Sequence, residues 1–138
     1  SVKKLEYKLK PLLKRNWGVS MEYRMKKINE VTRGWINYYR IADMKRILTR
    51  IEDKIRFHIR MCYWKQWKTV KNRANRLYFL GMPRYWCWLY ANTRKGYCRT
   101  GRWLGRWITN KILKQKGLLS LVDHYTKVHA FQPITLVL

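Results

Sequence analysis

Residues 21–40 read MEYRMKKINEVTRGWINYYR. Met21, Met25, Ile28, Val31, Trp35 and Tyr38/Tyr39 recur every three or four positions, the period of one face of an α-helix. Ser20, just ahead, offers an N-cap hydroxyl, and Gly18 interrupts whatever precedes it. Lys26, Arg33, Asn37 and Arg40 fall on the opposite side. The stretch therefore predicts an amphipathic helix with an apolar, aromatic inner face and a cationic outer one. Gly34 inside it costs about 1 kcal/mol relative to Ala. Close approach of another helix explains such a residue most simply; a nucleic-acid backbone at the same place is the other explanation.

The helical reading extends outward in both directions. Upstream, Leu5, Leu9, Leu12 and Leu13 give residues 2–15 a helical face, with Pro11 kinking it or restarting a short turn. Downstream, Asp43 is placed to cap a third helix with the stripe Ile47, Leu48, Ile51, Ile55, Ile59 and Cys62. The stripe continues through Tyr63, Trp67, Val70, Ala74 and Leu77 until Gly81, as one long helix or two bent near residues 68–75. Pro83 suits the first turn of a helix reaching about Asn92. Gly96, Gly101 and Gly105 then loosen the chain, a helix near 104–116 ends at Gly117, and Leu118, Leu119, Leu121 and Val122 form a short apolar element. The uncharged tail 131–138 suits a docked strand or a disordered end. The expected fold is all-α: an elongated region of about three helices over residues 1–80, then a smaller helical region over 81–138.

Charge narrows the function. The 138 residues carry 32 Lys and Arg against 7 Asp and Glu, a net charge of +25. An ordinary enzyme domain balances its charges, and a disordered polyelectrolyte lacks the 47% apolar and 15% aromatic content found here. A folded body that repels itself this strongly calls for a polyanion. From Lys54 through Val122 there are seventeen Lys and Arg and no acid, whereas an ordinary solvated face mixes signs. Nucleic acid fits best; an anionic lipid surface is the weaker candidate. No apolar run approaches the ~20 residues needed to cross a bilayer.

Several chemistries find no support. Cys62, Cys87 and Cys98 form no C-x-x-C pair, and their odd number fits free thiols in a reducing compartment. No cysteine pair accompanies His58, His124 and His129, so a zinc site could only be assembled from scattered residues and none is expected. Glu52 and Asp53 are adjacent and diverge on a helix, which suits solvated partners for Lys45, Arg46, Arg50 or Arg56 better than a two-metal centre. No nucleophile elbow, P-loop or metalloprotease motif occurs. The chain is expected to have no catalytic residue and no cofactor of its own. Ser1 in place of an initiator Met fits a piece of something longer.

The candidate binding residues follow from charge and position. They are Lys26, Arg33, Asn37 and Arg40 on the second helix, and Lys65, Lys68, Lys71, Arg73 and Arg76 on the third. Arg94, Lys95, Arg99, Arg102 and Arg106 follow in the later region. Arg forks onto phosphate and aromatic rings stack on unpaired bases. Trp103 and Trp107, interleaved with Arg99, Arg102 and Arg106, suit either stacking or core packing. Trp35, Tyr39 and Trp67, with Trp64, are read as core residues that hold the helices together.

The run RGWINYYR at residues 33–40 resembles the signature of the maturase-specific domain of group II intron-encoded reverse transcriptases, also called domain X or the thumb. SMEYRMKKIN at 20–29, WKQWK at 64–68, RKGYCRT at 94–100, GLLSL at 117–121 and Tyr125 agree in order, so the resemblance covers roughly residues 3–126. It implies a splicing cofactor that binds and stabilises folded intron RNA while the RNA performs the cutting and joining. It implies a thumb that grips template–primer behind upstream fingers and palm domains. It also implies a following segment that contacts target DNA during retrohoming. The polymerase Y-x-D-D carboxylates and the H-N-H endonuclease cysteines do not occur here. Polymerisation, with its magnesium, would rest on upstream residues, and further magnesium would belong to the bound ribozyme. A cytoplasmic, nucleoid-associated bacterial ribonucleoprotein, or an organellar one, is the implied setting. Two other readings stay open: the thumb of a related reverse transcriptase making cDNA outside splicing, and a plain basic DNA-binding protein.

Overall fold

The computed structural model describes residues 2–94 and 96–130; the tail 131–138 and Lys95 lie outside the described residues. Among these, every regular element is helical: α1 (Val2–Leu9), a 3-10 turn (Lys10–Leu13), α2 (Met21–Tyr39), α3 (Lys45–Gln66), α4 (Val70–Phe79), α5 (Arg84–Ala91), α6 (Tyr97–Leu104), α7 (Asn110–Gln115) and α8 (Leu121–Ala130). The fold is all-α.

α3 is the spine. Its 22 residues span about 33 Å at 1.5 Å each. Leu48, Ile51, Ile55, Ile59 and Cys62 lie buried along one face at the expected period. Near its C-terminus Met61, Cys62, Tyr63 and Trp64 are all buried. Four consecutive residues turn through a full circle, so other elements surround that end of the helix. α1 packs on α2, the 3-10 turn packs on α2 and α3, α6 packs on α3, and α8 lies across α2 and α3. One hydrophobic cluster thus runs from Leu5 to Tyr125, shared by residues before and after Gly81. α4 and α5 pair chiefly with each other as a hairpin.

The local stop signals explain the breaks. Ser20 Oγ accepts the Tyr23 amide at 3.1 Å, capping α2 as its sequence position predicts. α3 stops at Trp67 because Lys68 turns left-handed, φ 55°, and Thr69 Oγ1 then caps α4. The bend thus falls at the near edge of the expected 68–75 interval. Gly81, φ 106°, closes α4 in a Schellman arrangement: the Met82 amide donates to Leu77 and the Gly81 amide to Tyr78. The 3-10 turn at Lys10–Leu13 is the restart expected from Pro11.

Four expectations need correction. The inner face of α2 is rotated: Thr32 and Ile36 are buried, Val31, Trp35 and Tyr39 are half-buried, and Tyr38 points outward. Asp43 does not cap α3; Met44 takes the N-cap position without a side-chain bond, because its thioether is buried in the core. The region 96–116 is not one late helix after a loose stretch. α6 forms through Gly101, whose missing side chain admits the Phe57 ring; a Cβ there would lie 2.6 Å from Phe57 Cε2. Finally, among the described residues nothing stands within 4 Å of a Cβ built on Gly34, so no described helix approaches closely enough to account for it.

Candidate nucleic-acid interface

Not every cation is available to a partner, because several hold the fold together. Arg24 is buried at 2% exposure, and among the described residues no carboxylate forms an ion pair with it. Its Nη1 donates to the Leu12 and Lys14 carbonyls at 2.6 and 2.7 Å, its Nη2 to Trp17 at 3.0 Å, and its plane lies over the Trp17 ring. One guanidinium thereby ties the α1–α2 connection to α2, since the planar fork serves several acceptors at once. Arg60 likewise donates from Nε to Ile108 O (2.6 Å) and from Nη2 to Asn110 Oδ1 (2.7 Å), fastening the α6–α7 link to α3. Burial and the neighbouring Arg56 lower its pKa from the ordinary guanidine value.

The C-terminal helix is held by polar groups that belong to the recognised motifs. Asn29 Nδ2 donates to Gly117 O at 2.7 Å and its Oδ1 accepts the Leu119 amide at 2.9 Å. Tyr125 donates to Ala42 O at 2.6 Å, bracing the α2–α3 corner. Glu52 is buried, contrary to the solvated partner expected. It pairs with Arg56 at 2.8 Å as foreseen, and also accepts the amide of Leu121 at 2.9 Å, placing a carboxylate at the positive end of α8.

The predicted site residues distribute unevenly. Lys26, Arg33, Asn37 and Arg40 are all exposed on α2. The Asn37 side chain, however, bonds His124 Nε2 at 2.8 Å, and the Arg40 carbonyl accepts His129 Nδ1 at 2.6 Å. α8 therefore occupies part of the face expected to meet RNA. Burial, with Arg33 and Lys127 nearby, lowers the His124 pKa. Lys65, Lys68, Lys71 and Arg76 are exposed. Arg73 is half-buried and committed inward: Nε donates to Trp64 O at 3.0 Å and the guanidinium covers the Trp64 ring at 4.6 Å. Arg94, Arg99, Arg102 and Arg106 are exposed, Arg106 lying over Trp107. Trp67 and Trp64 are core residues, while Trp35 and Tyr39 pack half-buried against the core, 4.8 Å apart. Trp103 is packed between Trp64 and Tyr90, which resolves its role toward the interior.

A concentrated cationic feature lies where the sequence did not mark it. α1, the 3-10 turn and α3 enclose a groove of about 900 Å³. Lys3, Lys10, Lys14, Arg15, Lys54 and Lys65 line it with His58, against the single acid Glu6. All six Lys and Arg are exposed. Its floor is apolar, from Leu9, Leu13, Ile51 and Ile55, and Arg15 stacks 3.8 Å from the Tyr97 ring at its rim. Only Lys65 among them is a predicted binding residue. A second cleft, about 600 Å³, holds Arg76 and Lys116, and Lys116 also borders a hollow of about 290 Å³ containing Lys26 and Arg33. Glu22 and Glu30 dilute the charge there. Among the described residues no three His, Cys, Asp or Glu side chains gather as metal ligands, and no helix is long and apolar enough to cross a membrane.

Comparison with curated proteins returned no match. The profile of the family described as "Group II intron, maturase-specific domain" matches residues 2–79, from α1 to the end of α4. That segment contains the motif-bearing α2, the groove and most of the predicted cations, and it is more than half of the chain. The chain belongs to the group II intron maturase-specific domain family, which gives it a part in intron splicing and intron RNA as its partner.

Proposed function

We propose that this chain is the RNA-clamping module of a group II intron protein. It stabilises the folded intron by bridging phosphates of segments that would otherwise repel one another. The observation that carries this reading is the α1–α3 groove, where six Lys and Arg converge on one acid. Without a polyanion those cations repel each other and cost stability. With RNA they neutralise phosphates and release counterions. The apolar floor and rigid helical walls favour recognition of backbone shape, since A-form grooves hide the base edges. Arg33, exposed on α2, and the exposed Arg99, Arg102 and Arg106 extend the surface. Contacts with template–primer and with target DNA draw on the same cations, and the chain supplies no catalytic group of its own; chemistry belongs to the ribozyme and to upstream polymerase domains.

Charge reversal of the groove tests this directly. Lys14→Glu combined with Lys54→Glu is expected to weaken intron RNA binding at least tenfold at ~150 mM salt, with unchanged far-ultraviolet circular dichroism. Arg33→Glu is expected to weaken it less. Retained affinity in the folded double variant would overturn the proposal.

A further inference from the structure

The α4–α5 hairpin wears its aromatic residues on the outside. Phe79 is 84% exposed, Tyr85 81% and Trp88 52%, with Tyr78, Trp86 and Leu89 also exposed. The hairpin does not need these rings to fold. Its interior is filled by Ala74, Leu77, Met82, Cys87 and Ala91, all buried, and Gly81 sets its turn. Large apolar side chains exposed this often along two short helices are uncommon and mark a place where something docks.

Charge and ring chemistry identify the occupant. Residues 70–94 contain Lys71, Arg73, Arg76, Arg84 and Arg94 and no acid. Arg84 already lies over the Tyr78 ring at 4.6 Å, bridging the two helices with a guanidinium–aromatic stack. Five of the six exposed apolar side chains are aromatic and one, Leu89, is aliphatic. Flat rings among guanidinium groups match a strand whose bases are free to stack and whose phosphates need neutralising. A perfect duplex offers the phosphates but keeps its bases stacked on each other.

We infer that the exposed aromatic side chains of the α4–α5 hairpin bind a run of unpaired nucleotides, with Phe79, Tyr85 and Trp88 stacking on bases and Arg76 and Arg94 meeting the phosphates. This rests on nucleic acid being the partner and deepens that reading: the groove takes backbone, and the hairpin takes bases. The unpaired run is a loop of the RNA, the partner that the family match supplies.

The test compares the full chain with the triple variant Phe79→Ala, Tyr85→Ala, Trp88→Ala and with a ring-preserving variant, Tyr85→Phe with Trp88→Phe. Probes are ~12-nucleotide single strands, oligo(rU) and oligo(dT), and a duplex of equal length, with anisotropy as the readout. The triple variant is expected to lose tenfold or more in single-strand affinity. Its duplex affinity and salt slope should stay unchanged, and the ring-preserving variant should stay within about twofold of the parent. Tighter binding of oligo(dT) than of oligo(rU) would overturn the choice of RNA. Equal loss for duplex and single strand, or no loss at all, would overturn the inference. So would a triple variant that keeps its single-strand affinity but loses binding to phosphatidylserine vesicles, or one that abolishes self-association instead. Failure here with the groove reversal still weakening intron RNA sinks this inference alone; failure of the groove reversal sinks the proposed function.

Discussion

Arg24 shows how a side chain that looks like a ligand-binding cation can instead be a structural brace. Its three carbonyl acceptors sit on the α1–α2 connection and lose their partner if the fork is removed. Arg24→Lys keeps the charge but not the fork, so a chemical-denaturation experiment should show a loss of about 2 kcal/mol. His124 gives a pH signature. Its folded pKa lies below the ordinary imidazole value of 6.5 through burial and the charges of Arg33 and Lys127. The unfolded chain therefore binds the proton more readily. The stability contributed by neutral His124 is complete above about pH 6.5 and falls as pH drops through the window beneath it. Thermal melts at about pH 7.5 and about pH 5.5 should show a smaller acid-induced drop for His124→Gln than for the parent. The periodic apolar positions were readable at this scale because burial follows spacing. Arg24 and Asn29 were not, because nothing in a one-dimensional pattern tells a cation or amide facing water from one facing carbonyls twelve or ninety residues away.

At the scale of elements, helix ends were legible wherever a side chain or glycine sets the geometry. Ser20, Pro11, Gly81 and Gly117 mark their boundaries by local chemistry alone. Lys68 marks its boundary against local chemistry, since a non-glycine residue at φ 55° is strained. Lys68→Gly should stabilise the chain by about 1 kcal/mol in denaturant titration. Intron RNA affinity in the same variant then reports whether the Lys68 ammonium meets phosphate. Gly34 is the complementary case. An exposed helical glycine with open space above it gives up about 1 kcal/mol for no internal contact. Gly34→Ala should raise the melting temperature, and a simultaneous fall in RNA affinity would place a phosphate backbone against that turn of α2. The division of residues 96–116 escaped the sequence reading because Gly101 reads as a breaker, whereas here its bare backbone lets α6 press on Phe57.

On the scale of the whole molecule, the all-α class and the polyanion partner were both present in composition and period. The arrangement of the interface was not. The cations of α1 and its following turn are ordinary in sequence, and they become a site only when packing sets them across from Lys54 and Lys65 on α3. Conversely, Asn37, read from the sequence as an RNA contact, bonds α8, and the motif residues Asn29 and Tyr125 tie α8 and the segment before it to the body of the fold. The motif records the architecture as much as the surface it presents. On the proposed function, the groove is where intron phosphates are neutralised. The dependence of intron RNA affinity on salt measures that number. The six groove cations should contribute about −4 to −5 to the slope of log K against log salt, and replacing Lys10, Lys14 and Lys54 by Gln should reduce its magnitude by about 2–3. A slope unaffected by those three replacements would contradict the claim.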